Sequence, residues 1–279
     1  MECSIAARVW RYDATMSARF SFEVVNALDY DELRPHYAPE AVEWVGERGG
    51  LVGGSTVVDL AAGTGQLSRA FIRIGVDVIA IEPAANMRGV LEMRPSPVRV
   101  IDGTAESIPL ADSSIDAVVV GNAFHHFDRA RAFAEIARIL RPGSVLALYW
   151  AWPLEDRFVR YPGLKRIDEV VESIRASSDI ATAYRVWSEP SNAAEGFGPF
   201  ERREFHMTHV IASTRLADLY ATSSDVASLP RVARMHLVDK VRKLSDRLPE
   251  TLRLPGRTVV DLCHRGLTPG LRITRSVAD

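Results

Sequence analysis

Cysteine is almost absent from this sequence: Cys3 and Cys263 are the only two in 279 residues. No CxxC pair or Cys/His spacing surrounds either one, so no metal centre is expected. Two free thiols in a reducing compartment is the expected state, with one end-to-end bridge as the alternative. Long apolar runs are also missing. Stretches such as Val145 to Trp152 fall far short of the roughly 20 residues that span a bilayer. Charges interrupt the N-terminus, which forms no signal-peptide core. Charge of one sign is lacking too: 34 Lys and Arg stand against 36 Asp and Glu, a formal net charge of -2. That balance argues against a nucleic-acid partner. Arg231, Arg234, Lys240, Arg242, Lys243 and Arg247 read as a solvated helix face. The expectations are no nucleic acid, no membrane, no metal and a cytoplasmic location, as a monomer or homodimer.

What is present is a strand–helix alternation from Thr56 to about Trp150. Thr56 to Leu60 is a short β-branched run ended by a Gly-rich turn, which suits a buried parallel strand. Helical spacing follows over Gln66 to Ile74. Val76 to Ile81 predicts a second strand, and Pro83 suits the first turn of a helix reaching Met93. Val98 to Ile101, Ile115 to Val120 and Ser144 to Trp150 predict three more strands. Ala130 to Leu140 predicts a helix stopped by Arg141-Pro142-Gly143. Such alternation implies right-handed crossovers, a parallel sheet and a ligand beyond the carboxyl ends of its strands. The rhythm then breaks. Pro153 to Gly198 reads as helix and loop. Glu201 to Ile211 alternates, with Phe205, Met207, His209 and Ile211 on one face. Leu216 to Leu248 predicts two helices broken near Pro230, and Arg257 to His264 a last strand.

The chemistry concentrates in Val57-Val58-Asp59-Leu60-Ala61-Ala62-Gly63-Thr64-Gly65-Gln66-Leu67-Ser68. Glycines between strand and helix let backbone approach a ligand, and helix N-terminal amides favour an anionic group. Glu82 closes the next strand, where an acid accepts both hydroxyls of a ribose. A dinucleotide fingerprint would place Gly or Ala at position 68, and Ser68 fits that poorly.

The D-x-A-x-G-x-G run instead resembles motif I of class I methyltransferases dependent on S-adenosylmethionine (SAM). Ile79-Ala80-Ile81-Glu82-Pro83 with Met87 is similar to that family's second motif, and Gly103 to Leu110 to its adenine-flanking loop. Asp116 to Val119 with Ala123-Phe124-His125-His126-Phe127-Asp128 resembles its fourth strand and following loop. Ile139 to Gly143 resembles its fifth-strand entry. The resemblance is close over residues 20 to 151 and thinner beyond, with the small-molecule type 11 branch the nearest.

That resemblance implies a Rossmann-like, doubly wound α/β fold: a seven-stranded, mostly parallel sheet with a helical N-terminal lid and a helical insertion after the fifth strand. One domain is expected over 1–279, with a SAM-binding core at 40–151, a lid at 1–39, a substrate-side region at 152–264 and a tail at 265–279. SAM is the implied cofactor and a small organic molecule the implied methyl acceptor, with secondary metabolism the implied setting. Asp59, Ala61, Gly63 and Gly65 would line the methionine part, and Glu82 would hold the ribose. Thr104, Ala105 and Glu106 would flank the adenine, with Pro83 and Ala84 beside it. Asn122 and Ala123 would lie below the sulfonium, and Arg34 to Pro39 over the cofactor. Ala61 stands where the family favours glycine, which a negative φ would tolerate. His125 and His126 are the candidate catalytic bases.

Each assignment has a structural competitor. The glycines can simply build a turn, Glu82 can serve a helix dipole, Asp59 can orient the loop, and Glu106 can be a solvated charge. The histidines can be packing residues, and Trp150, Trp152 and Trp187 core rather than pocket. At the level of function, the alternatives are a non-catalytic SAM-binding protein and a nucleotide-dependent oxidoreductase.

Overall fold

The computed structural model describes residues 25–94, 97–175, 196–227 and 229–266. Cys3, Trp187 and the side chain of Trp152 lie outside this description, as do residues 1–24 of the expected lid and 267–279 of the expected tail. Seven strands are present: β1 (Thr56–Leu60), β2 (Asp77–Ile81), β3 (Arg99–Ile101), β4 (Ile115–Gly121), β5 (Leu140–Pro153), β6 (Glu201–Ala212) and β7 (Thr251–His264). They form one sheet in the order β3-β2-β1-β4-β5-β7-β6. The first five run parallel, and β7 lies antiparallel between β5 and β6. The helices are α1 (Ala27–Leu33), α2 (Pro39–Gly49), α3 (Gln66–Ile72), α4 (Ala85–Met93), α5 (Arg129–Ile139), α6 (Asp156–Arg160), α7 (Gly163–Arg175), α8 (Leu216–Ala221), α9 (Ser224–Ala227) and α10 (Arg231–Ser245).

Consecutive residues of the central strands serve opposite faces, as the pleat requires. Val58, Leu60, Val118, Val120, Leu146, Leu148 and Trp150 pack with Ile136 and Ile139 of α5. Val57, Ala117, Val119, Ala147 and Tyr149 pack on the other face with α2 and with Leu67 and Phe71 of α3. Both faces are therefore dry, and the strands read as continuous apolar runs. A third cluster joins α7, α8 and α10 to Ile211, Leu252 and Leu254, at one end of the long β6–β7 ribbon. Trp150 is core, buried at 4% exposure.

Among the departures from the sequence expectation, four stand out. β5 starts at Leu140 rather than Ser144, because Gly143, at φ 84, helps absorb a register break between Ile115↔Leu140 and Ala117↔Val145. β7 starts at Thr251 rather than Arg257. Pro255 is tolerated there because β5 ends opposite Gly256, leaving only β6 beside that part of β7. α4 begins at Ala85, after Pro83. The stretch 216–248 holds three helices rather than two. Thr222 and Ser223 hydroxyls donate back to the Leu219 and Tyr220 carbonyls at 2.7 and 2.6 Å, which competes with helix continuation.

Candidate active site

The loop after β1 folds against the end of β2. Gly63 N–H donates to Glu82 Oε2 at 2.7 Å, and Ala84 N–H donates to Oε1 at 2.8 Å. Glu82 is 5% exposed, so it faces the loop and not bulk water. A carboxylate offers about four acceptor positions, which lets ribose hydroxyls share it. Arg88 holds this turn by donating to the Glu82 and Pro83 carbonyls at 2.8 and 2.7 Å, and pairs with Asp102 at 3.1 Å. Ala62 N–H donates to the Ile81 carbonyl at 3.1 Å and Gly65 N–H to the Ala62 carbonyl at 2.9 Å. The Ala62, Gly63 and Gly65 amides of the loop are thus engaged within the protein.

The two glycines are required for different reasons. A Cβ at Gly65 would fall 1.8 Å from Leu91 Cδ1, so this glycine admits α4. A Cβ at Gly63 would meet only Tyr30 Cε1, at 3.8 Å, so this glycine faces the open side of the loop. Ala61 contradicts the expectation of negative φ: it stands at φ 55. The left-handed conformation that suits glycine is kept here at a strain of about 1–2 kcal/mol.

Asp59 is 1% exposed and accepts from the Ser68 hydroxyl at 2.6 Å. Burial pushes its carboxyl up to about 6. Hydrogen bonds from Ser68 and the charge of Arg69 oppose this, and Glu82 adds to it. Ser68, which spoiled a dinucleotide fingerprint, is thus the partner of the motif acid.

The segment over the loop is tied down by residues whose role the sequence did not disclose. Asp31 of α1 is buried between Arg69, at 2.6 Å, and Arg94. Arg69 also donates to the Thr64 carbonyl at 2.8 Å, and Gln66 Nε2 to the Asp31 carbonyl at 3.0 Å. Tyr30 and Tyr37 then cover the loop, together lining a space of about 30 Å³ with Asp59, Ala61 and Gly63. Burial raises the pKa of both phenols. Asn122, at φ 50, closes β4; its amide donates to Tyr37 Oη at 3.1 Å and accepts from Ala151 N–H at 3.0 Å.

The remaining expected residues lie further off. Thr104 and Ser107 form a small bridge, and Ala105 is buried. Glu106 is half-buried and accepts from Asp128 N–H at 2.9 Å, at the cap of α5. Pro83 is exposed and Ala123 packs against the core. His125 and His126 stack at 3.8 Å, with His125 5.9 Å from Trp150. Burial holds His125 well below its usual range and His126 at about 4. Neither lines the large cavity.

That cavity, about 440 Å³ and lined also by Asn122, opens where Tyr30, Tyr37 and Gln66 end the glycine-loop space. The extended end of β5 supplies Ala151 and Pro153, the β6–β7 ribbon Met207, His209 and Leu254, and the helical layer Leu164, Leu216, Leu219 and Tyr220. Arg157 and Asp168, paired at 3.3 Å, mark its charged wall. Among the described residues no group of three or more His, Cys, Asp or Glu could hold a metal ion. No described helix is long and apolar enough to cross a membrane.

Comparison with known proteins agrees with this geometry. A family described as a methyltransferase domain matches residues 58–148. An uncharacterized methyltransferase of Mycobacterium tuberculosis is 35% identical over 215 residues, covering 77% of this chain and 82% of the relative. One of Schizosaccharomyces pombe is 27% identical, covering 81% of this chain and 84% of its own. The fold is similar to that of a protein from Anaeromyxobacter dehalogenans assigned as a type II methyltransferase, with a TM-score of 0.55 at 21% identity, covering 84% of this chain and 98% of that one. Motif order, sheet order and these relatives agree: the chain belongs to the class I SAM-dependent methyltransferases and is an enzyme of that family.

Proposed function

We propose that the chain binds SAM along the glycine loop and methylates a small organic molecule held in the 440 Å³ cavity. The observation that carries this reading is the cavity itself. It meets the loop space at Tyr30, Tyr37 and Gln66, and its size suits a small ligand. Glu82 would hold the ribose hydroxyls, and the loop from Asp59 to Gly65 the amino-acid end. Thr104 to Glu106 would border the adenine. Bound SAM supplies a methyl group already activated on a sulfonium. The protein's part is then to align the acceptor and exclude water. Tyr30 and Tyr37 shield the loop, and leucines of α7 and α8 cover the acceptor.

Isothermal titration with SAM and S-adenosylhomocysteine tests the cofactor half. Both are expected to bind the wild type, and Glu82→Ala to weaken them about 100-fold, as two charge-assisted bonds imply. Equal binding by the variant, or none by the wild type, refutes it. Mass spectrometry of small molecules incubated with enzyme and SAM tests the acceptor half; transfer only to protein or nucleic acid refutes it.

A further inference from the structure

Arg34 closes α1 and lines the large cavity. Its backbone is held from both sides: the N–H donates to the Tyr30 carbonyl at 3.2 Å, and the carbonyl accepts from Gln66 Nε2 at 3.3 Å. Pro35 follows and keeps Arg34 extended, at ψ 140. The side chain is half-buried and lies over the Tyr30 ring, with Cζ 5.2 Å from the centroid. Among the described residues it forms no ion pair and donates no hydrogen bond. Its Nε is buried without a partner; Nη1 and Nη2 are not, and stay open to a ligand. The other charges lining the cavity are answered or exposed. Arg157 donates to the Leu154 carbonyl at 3.0 Å and to Asp168 at 3.3 Å. Glu155 lies 3.9 Å from Arg157 with its side chain 87% exposed, and Glu172 is exposed too. Burial, then the charges of His36 and Arg34, hold His209 at about 4, so it is neutral at pH 7. Among the described residues, Arg34 is thus the one cation lining the cavity without a counter-ion. A guanidinium keeps its charge at any working pH and presents a planar fork that matches a carboxylate.

We propose that Arg34 selects the methyl acceptor, its Nη1 and Nη2 donating to a carboxylate on that molecule, which assigns the substrate class as carboxylic acids. This rests on the methyl-transfer reading above. SAM carries a carboxylate of its own, at the amino-acid end. Placement separates the two: Tyr30, Tyr37 and Gln66 line both the glycine-loop space and the cavity, whereas Arg34 lines the cavity and not the loop space. A paired fork of charge-assisted bonds fixes orientation as well as affinity, so the acid end of the acceptor is held while its body is turned. Leu164, Met207, Leu216, Leu219 and Tyr220 give that body an apolar wall.

The test follows 4-fluorobenzoate and 4-fluorobenzamide by 19F NMR on the full-length protein. The two probes share a shape and differ in charge. Each is titrated with and without saturating S-adenosylhomocysteine. Wild type is expected to bind the benzoate about tenfold more tightly than the amide, whether or not the thioether is present. Arg34→Gln should bring the benzoate down to the amide's affinity, and Arg34→Lys should restore part of the difference, keeping the charge without the fork. S-adenosylhomocysteine binding by both variants, measured by calorimetry, stays within about twofold of wild type. Equal binding of the two probes by wild type, or benzoate binding unchanged in Arg34→Gln, overturns the proposal. Displacement of the benzoate by S-adenosylhomocysteine, or a large loss of S-adenosylhomocysteine affinity in Arg34→Gln, assigns Arg34 to the cofactor's carboxylate and overturns it too. Should Arg34→Gln fold poorly, Arg34→Lys and the wild-type comparison of acid with amide decide. Failure of the wild type to bind S-adenosylhomocysteine is a separate outcome, which sinks the cofactor reading and leaves the acid–amide comparison to decide on Arg34.

Discussion

Replacing Asp59 by Asn should stabilise the protein at alkaline pH and lose that advantage in acid. The Asp59 carboxyl is driven from 3.8 to about 6, burial being the largest cause. At about 1.4 kcal/mol per pH unit, that gap corresponds to roughly 3 kcal/mol. The sign follows from linkage. The folded chain binds this proton more tightly than the unfolded chain, so the carboxyl's contribution falls as pH rises from about 4 through 6. Above 6 the destabilisation is complete. Asn cannot ionise, and its Oδ1 still accepts from the Ser68 hydroxyl, which lies 2.6 Å from the present carboxylate. Losing a charge-assisted bond offsets about 1 kcal/mol. The net expectation is a gain of about 1–2 kcal/mol at pH 8, shrinking to zero or below at pH 4. Urea unfolding of both proteins at pH 8, 6 and 4 measures it. Histidine titrations are common to the pair and cancel in the difference. A difference independent of pH, or one growing in acid, would show that Asp59 does not carry the buried charge.

Gly65→Ala should cost about 2–4 kcal/mol through its collision with Leu91, and Gly63→Ala about 1–2 through φ alone; Leu91→Ala should recover part of the first loss and none of the second, as thermal unfolding will show. Ala61→Gly relieves the strain at φ 55 and adds chain entropy to the unfolded state, for a net gain of about 0.5 kcal/mol by chemical denaturation; a loss above about 1 kcal/mol would contradict the strain. Wild-type stability should fall as pH drops from 6.5 toward 4, because the unfolded chain protonates histidines that burial keeps neutral in the fold. His126→Gln should flatten that limb in a pH series of melting curves, and an unchanged slope would count against the burial of His126. Asp31→Ala strands Arg69 and Arg94 and frees α1 from the loop, so proteolysis near residue 30 should accelerate relative to wild type.

The order and type of the elements were legible in the sequence because both faces of the central sheet are buried: Val57 and Val58 are equally apolar whichever way they point. The glycine loop and Glu82 were legible for a related reason. A strand-to-helix turn with a closing acid is local, built within one crossover, and its geometry follows from a few contiguous residues. The edges of β5 and β7 were not, since Pro142 and Pro255 forbid a strand only where a neighbour needs their missing N–H. The roles of Gly65 and Ser68 waited on their partners Leu91 and Asp59. Tertiary structure alone decided the tether from Asp31 to Arg69 and Arg94, pairs far apart in the chain and bound by no periodicity. It also decided that His209, and neither His125 nor His126, lines the large cavity. The one hint was a titratable ring on the apolar side of an alternating strand. Sequence fixes which face a side chain takes, but which walls enclose a cavity depends on contacts between elements hundreds of atoms apart.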